Sequence, residues 1–376
     1  MTKNPLIQLI YNYINGKELC DCSDYTQLFF HAKKHSIGTI FYSAVKDSEK
    51  VDSETKKQAL KHYLSQINQQ ASQDYYMETL FAKLKDANLK FLPLKGASIR
   101  KFYPSPDLRT SCDVDFFYDE KQKKQVYSTL TDLGFNKGHE NVNHCEWESG
   151  VVTIESHHAL VSEGGHYADY YKDVWSKLKI VDGCQYCFSK EDLYIYCIVH
   201  SAKHFIFGGF GVRTVLDLYF LNKENNFNEE YLALELDKLG LREYEKVMRS
   251  LANYWFDNVD ANDDVLAVGE YVLNSGVYGN TDNLAVIKGG EGQLKSTKRK
   301  FWLKTIFPPY KTMKSKYKIL KKLPFLLPFI WVYRWFEVLF VSPERFKRTI
   351  KDSQNMNQER IEFTNRIIEI TKIKKE

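Results

Sequence analysis

Residues 91–118 read FLPLKGASIRKFYPSPDLRTSCDVDFFY, and the fold turns on how this stretch is parsed. Asp113-Val114-Asp115 runs straight into Phe116, Phe117 and Tyr118, the composition of a buried strand that carries two carboxylates. Side chains at i and i+2 of a strand point to one face, with Cα atoms roughly 7 Å apart. Two acids held that way repel unless something positive sits between them. A divalent ion does this naturally, because Mg²⁺ takes a few carboxylate oxygens together with substrate phosphates. Upstream, Leu94-Lys95-Gly96-Ala97-Ser98 puts a glycine where backbone N–H groups can approach a phosphate closely.

The flanks extend this reading. Leu89, Lys90, Phe91 and Leu92 predict a first strand, and residues 99–103 a short helix stopped by Pro104 and Pro106. Arg109 lies four residues before Asp113. Its guanidinium fork suits a triphosphate, and it equally suits a structural ion pair with Asp113 or Asp115. Residues 119–133 predict a helix with Val126, Leu130 and Leu133 on one face, ended by Gly134. A hairpin follows, with His144 to Trp147 on one arm, a turn at Ser149-Gly150, and the β-branched run from Val151 to Ile154 on the other. Glu155 emerges from its end, with His157 two residues on and therefore on the same face.

These residues resemble the "LKG … Y-P … R … D-h-D" signature (h, hydrophobic) of the uncharacterised nucleotidyltransferase family, within the polymerase-beta-like nucleotidyltransferase superfamily. Gly96 matches the glycine of that pattern, although Ala97 stands where Gly or Ser is usual. Asp113 and Asp115 match the paired acids, and Glu155 the third acid, in place of the more usual Asp. The resemblance implies transfer of a nucleoside monophosphate from an NTP to an acceptor, with release of pyrophosphate. Asp113, Asp115 and Glu155 would then hold Mg²⁺ or Mn²⁺. Lys95, Gly96, Ser98 and Arg109 would face the nucleotide, and His157, His200, His204, Arg213 and Asp217 would support the site. The last four match a His-x3-His and an Arg-x3-Asp pair in the helical part of the family.

Composition sets the frame. With 376 residues the chain can bury a sizeable core, and 43% hydrophobic and 27% charged residues are ordinary for a globular protein. A net charge of +5 is too small to make the whole chain a polyanion binder. The seven cysteines are odd in number and no basic start with an apolar core precedes them, which predicts free thiols in a reducing, cytoplasmic setting. Cys184, Cys187, His200 and His204 have the spacing of a Cys₂His₂ finger. Glu191 and Cys197 stand where such a finger needs apolar core residues, so the spacing is read as coincidence.

Residues 1–88 predict helices, with Leu60, Leu64, Ile67, Ala71 and Tyr75 spaced three and four apart. A helix from Lys190 to the Gly208-Gly209 break carries His200 and His204 on one face, and a second helix carries Arg213 and Asp217. Between Lys295 and Lys322 there are eleven basic residues and no acid, followed by an aromatic-rich apolar run through Phe340. Two prolines at the start of that run, with Arg334 and Glu337 later in it, argue against a spanning helix. A segment lying on an anionic membrane surface fits better, and so does a core helix preceded by a solvated basic linker. Nucleic acid could use the same basic patch by counterion release, though no reading motif accompanies it.

The expectation is therefore an α/β (α+β) protein. An N-terminal helical segment (1–88) leads into a small mixed sheet that forms a nucleotidyltransferase core (89–180). A helical domain (190–285) and a basic, aromatic C-terminal segment (295–376) complete the chain. Its partners would be an NTP, an acceptor the sequence does not name, and an anionic membrane face reached through 295–340. The alternative is a catalytically silent nucleotide-binding or membrane-surface accessory protein on the same fold.

Overall fold

The protein is described from a computed structural model, over residues 4–150, 152–161, 165–224 and 226–374. Seven strands form one mixed sheet: β1 (Phe91–Pro93), β2 (Val114–Tyr118), β3 (Asn136–Glu140), β4 (His144–Ser149), β5 (Val152–His157), β6 (Lys179–Asp182) and β7 (Gln185–Cys187). Their order across the sheet is β3-β4-β5-β2-β1-β7-β6. β2 lies parallel to β5 and antiparallel to β1, while β4 and β5 form the expected hairpin. The sequence reading missed β3, β6 and β7. β3 is polar, and β6 holds only the adjacent, exposed Ile180 and Val181, so neither carries the apolar alternation that marks a half-buried strand.

The period of two sorts the sheet into two faces. Val114, Phe116 and Tyr118 of β2, Cys145 and Trp147 of β4, and Val152 and Ile154 of β5 pack on Leu80 and Leu84 and on Val126 and Leu130. Those partners come from the helices Ser53–Asp86 and Lys123–Asp132. The opposite face belongs to a larger core, in which Leu92, Leu94 and Phe117 meet the helices Lys190–Ile206 and Val212–Glu224. Residues near both ends of the chain, Leu6 and Ile368 among them, share that second core.

Local capping fixes the helices that matter most. Asp52 accepts a hydrogen bond from the Thr55 N–H at 2.8 Å and starts the long helix Ser53–Asp86. Ser189 accepts from the Asp192 N–H at 3.0 Å, and Glu191 and Asp192 place negative charge at the positive end of Lys190–Ile206. That helix is buried along most of its length. At Gly209, with φ +101°, a Cβ would lie 2.1 Å from Ser275 Oγ, so the chain reverses there only because no side chain is present.

One expectation about the tail needs correcting. Pro324 and Pro328 do not interrupt the apolar run, because each sits in the first turn of its segment, where no N–H is needed. Pro324–Val341 forms a continuous helical stretch of 18 residues with mean hydropathy 1.4 and none of it buried. By length and composition alone it is apolar enough to cross a membrane. Its charged side chains point another way, as described below.

Candidate active site

The site begins with the pairing of β2 and β5. Parallel register places Asp115 opposite Glu155 and Phe117 opposite His157, all on the face away from Trp147. Asp113, two residues before Asp115, projects to that same side. One ligand oxygen from each of Asp113, Asp115 and Glu155 lies within 4.8 Å of the others. The hairpin adds His144, which stands opposite His157 and brings its Nε2 to 3.7 Å from Glu155 Oε1. His144, Glu155 and His157 thus make a second group of potential ligands that shares Glu155 with the first.

Lys95 enters from β1. The Leu94 N–H donates to the Asp115 carbonyl at 2.9 Å, which pins the end of β1 beside the acids. The chain then turns at Lys95, whose φ is +44°, a region few residues other than glycine adopt. This turn delivers the ammonium into the acid cluster: Lys95 Nζ lies 2.6 Å from Asp115 Oδ1 and 3.7 Å from Glu155 Oε2. His157 Nε2 bridges the same two acids at 2.9 and 3.1 Å. Gly96 lies on the cleft wall, where a Cβ would come within 3.3 Å of Ser111 Oγ.

The charges sort accordingly. Burial alone would raise the Asp115 carboxyl, but Lys95 and His157 overcome it and hold it well below the usual carboxylate range. Asp113 lacks such partners, and burial together with the Asp115 charge pushes it up to about 6. Burial works against charge on Lys95 and His157, yet the carboxylates raise both. His144 goes the other way, lowered to about 4 because burial outweighs Glu155.

Among the other residues expected here, Arg213 and His200 line the cleft with Asp113, Asp115 and Tyr196. Arg213 donates to the Thr110 carbonyl at 3.2 Å, and among the described residues it has no carboxylate within ion-pair distance. Burial and neighbouring Arg109 lower its pKa. His200 is driven well below its usual value by burial and by Lys95, and His204 packs against its ring with centroids 4.5 Å apart, on the exposed side.

Arg109 lines the cleft, but its ion-pair partner is neither Asp113 nor Asp115. Its Nε and Nη2 grip Asp217 at 2.7 and 3.0 Å, and Tyr103 donates to the same carboxylate at 2.7 Å. Arg109 and Asp217 are thus a buried pair in the wall of the cleft, tying the loop before β2 to the helix Val212–Glu224. Ser98 is likewise engaged, donating its hydroxyl to the Pro93 carbonyl at 2.7 Å.

The sequence reading missed His144 as a site residue. The hairpin itself was legible, but a turn read at Ser149-Gly150 puts the register two residues out; only the observed pairing of Ser149 with Val152 sets His144 opposite His157.

A mixed sheet with three clustered acids, one pair at i and i+2 and a third on the adjacent parallel strand, is the arrangement expected of a nucleotidyltransferase. The model of a family described as "Uncharacterised nucleotidyltransferase" matches residues 21–257, and the chain belongs to that family. Two solved structures resemble it in part. One is the crystal structure of ANT(2")-Ia in complex with adenylyl-2"-tobramycin, at 12% identity and a TM-score of 0.36, covering 46% of this chain and 98% of that one. The other is a solution structure of the antibiotic-resistance factor ANT(2'')-Ia, at 12% identity and 0.33, covering 48% and 92%. Scores this low carry no argument about substrate. No curated protein matches the chain.

Proposed function

We propose that this protein transfers a nucleoside monophosphate from an NTP to a hydroxyl or phosphate acceptor. The acceptor oxygen bonds to the α-phosphorus, the bond from that phosphorus to the bridging oxygen of the β-phosphate breaks, and pyrophosphate leaves. The observation that supports this most directly is the β2–β5 register, which sets Glu155 beside Asp115 while Asp113 projects to the same face.

The donor set suits Mg²⁺ or Mn²⁺: three carboxylates, one of them with its pKa raised by burial and by the neighbouring Asp115 charge. When bound, such an ion would supply charge neutralisation at the phosphates and activation of the attacking oxygen. The protein's own groups do the rest. Glu155 is placed to take the proton from an acceptor hydroxyl, with His157 fixing its orientation. Arg213 presents a guanidinium to the cleft for the triphosphate. Lys95 is a second cation for the phosphates, since phosphoryl-type transfers depend mainly on positioning and charge.

One observation favours a second reading. The Lys95 ammonium already sits between Asp115 and Glu155, so a protein that binds nucleotide without turnover would hold its acids in this way. The two readings separate on incubation with each of four α-labelled NTPs, divalent ion and cell extract. Label transfer by the wild type and none by Asp113→Ala/Asp115→Ala supports the enzyme; equal transfer by both proteins sinks it. Nucleotide binding without any transfer supports the silent reading.

A further inference from the structure

Outside the acid cleft, the strongest unexplained feature is the stretch Pro324–Val341. At 100° per residue, Phe325, Phe329, Val332, Phe336 and Phe340 fall on one stripe. Phe325, Phe329, Tyr333, Phe336 and Phe340 are each 58–76% exposed. Apart from the Tyr333 hydroxyl, the polar groups of the same stretch turn the other way. Trp331 and Trp335 donate their indole N–H groups to the carbonyls of Pro308 and Ile306, at 3.0 and 2.8 Å. Arg334 donates to the Thr305 carbonyl at 3.0 Å, and Glu337 is held by Lys316 at 2.7 Å and by the Tyr317 hydroxyl at 2.6 Å. Segment 305–317 therefore satisfies the polar face and leaves the ring-bearing face bare.

We infer that this face seats on the surface of an anionic lipid bilayer, with the helix lying in the interfacial plane rather than crossing it. Crossing would require Arg334 and Glu337 to give up their partners and enter hydrocarbon, which is costly. Lying flat keeps every one of those bonds and buries the bare rings among acyl chains. The surroundings supply the charge. Lys304, Lys311, Lys318 and Lys322 are exposed along the stretch that leads into the helix, which has eleven basic residues and no acid. Phosphate-bearing headgroups complement that charge. A second copy of this chain would not, because a self-matched contact brings the two basic segments together. The inference is independent of the catalytic reading and stands or falls without it.

The test is flotation of the full-length protein with vesicles of phosphatidylcholine, alone or mixed with phosphatidylglycerol. Wild type is expected to float with the mixed vesicles, less so as salt rises, and to stay behind with phosphatidylcholine alone. Phe329→Ser/Phe336→Ser/Phe340→Ser and Lys311→Glu/Lys318→Glu/Lys322→Glu should each weaken flotation at least about tenfold. Both should keep wild-type thermal melting, because all six side chains are solvent-exposed. Failure of the wild type to float with the mixed vesicles overturns the inference. So does equal flotation of the variants, or light scattering that shows a wild-type dimer and a monomeric serine variant, which would assign the face to a second copy.

Discussion

Lys95 Nζ and Asp115 Oδ1 lie 2.6 Å apart, and this contact ties the residue after β1 to the acid-bearing start of β2. It makes Asp113 and Asp115 electrostatic opposites although they are two residues apart on one strand. Asp113 has a raised pKa, about 6, against an unfolded value near 4. The folded state therefore holds that proton longer, and stability falls as pH rises from about 4 to 6, with the penalty remaining above. Asp113→Asn should raise Tm by roughly 2 °C at neutral pH and leave it unchanged near pH 4. Asp115→Asn should lower it at neutral pH, since Lys95 and His157 lose their partner. Thermal melts across pH, run beside the label-transfer assay in which both variants should be inactive, check the pair.

Lys95 carries two separable burdens, a charge and a strained backbone. Lys95→Gly and Lys95→Ala both remove the ammonium and should both cut label transfer, by about 10²-fold or more if it neutralises developing charge. They should differ in stability. Glycine adopts positive φ freely, so Lys95→Gly should be more stable than Lys95→Ala by about 1 kcal/mol in urea unfolding. Equal midpoints would show that the turn is relaxed.

The buried Arg109–Asp217 pair should behave as structure. Arg109→Ala or Asp217→Ala leaves a lone charge in the interior and should cost about 3–5 kcal/mol. Replacing both at once with apolar residues, Arg109→Met/Asp217→Leu, should cost much less than the sum of the two singles. An additive double mutant would mean that the two side chains do not depend on each other.

His35 gives a pH dependence of opposite sign to that of Asp113. It is almost fully buried, its Nδ1 accepts from the Val212 N–H at 3.2 Å, and burial lowers its pKa to about 4. The unfolded chain protonates first, near 6.5, so this group's contribution is intact above that pH and is lost as pH falls towards 4. By pH 5 the loss should be roughly 1–2 kcal/mol. A chemical-denaturation series from pH 7 to 5 should show a shallower slope for His35→Asn than for wild type.

What could be read from residues alone follows from the range of the interactions concerned. Asp113 and Asp115 share a face because alternation is local, and the hairpin to Glu155 is announced by its β-branched arm and its Ser149-Gly150 turn. The family, too, was legible in residues 91–118 and 152–157. The partner of Arg109 was not, because Asp217 lies 108 positions away, and the Arg-x3-Asp pattern that marks Asp217 does not say what it pairs with. Nor was the turn at Lys95, since a long cationic side chain gives no hint of positive φ. The tail's prolines misled for a related reason: proline forbids the middle of a helix but suits its first turn, and only the folded chain shows which turn it occupies.

The 34-residue helix Ser53–Asp86 spans roughly 50 Å at 1.5 Å per residue. It contributes Ala59 to one hydrophobic cluster and Leu80 and Leu84 to the other, and between them Gln73 reaches the Ser111 carbonyl beside the acids. Two hydrophobic clusters are thus anchored on a single rod, so sliding one past the other would cost packing at Ala59 or at Leu80 and Leu84.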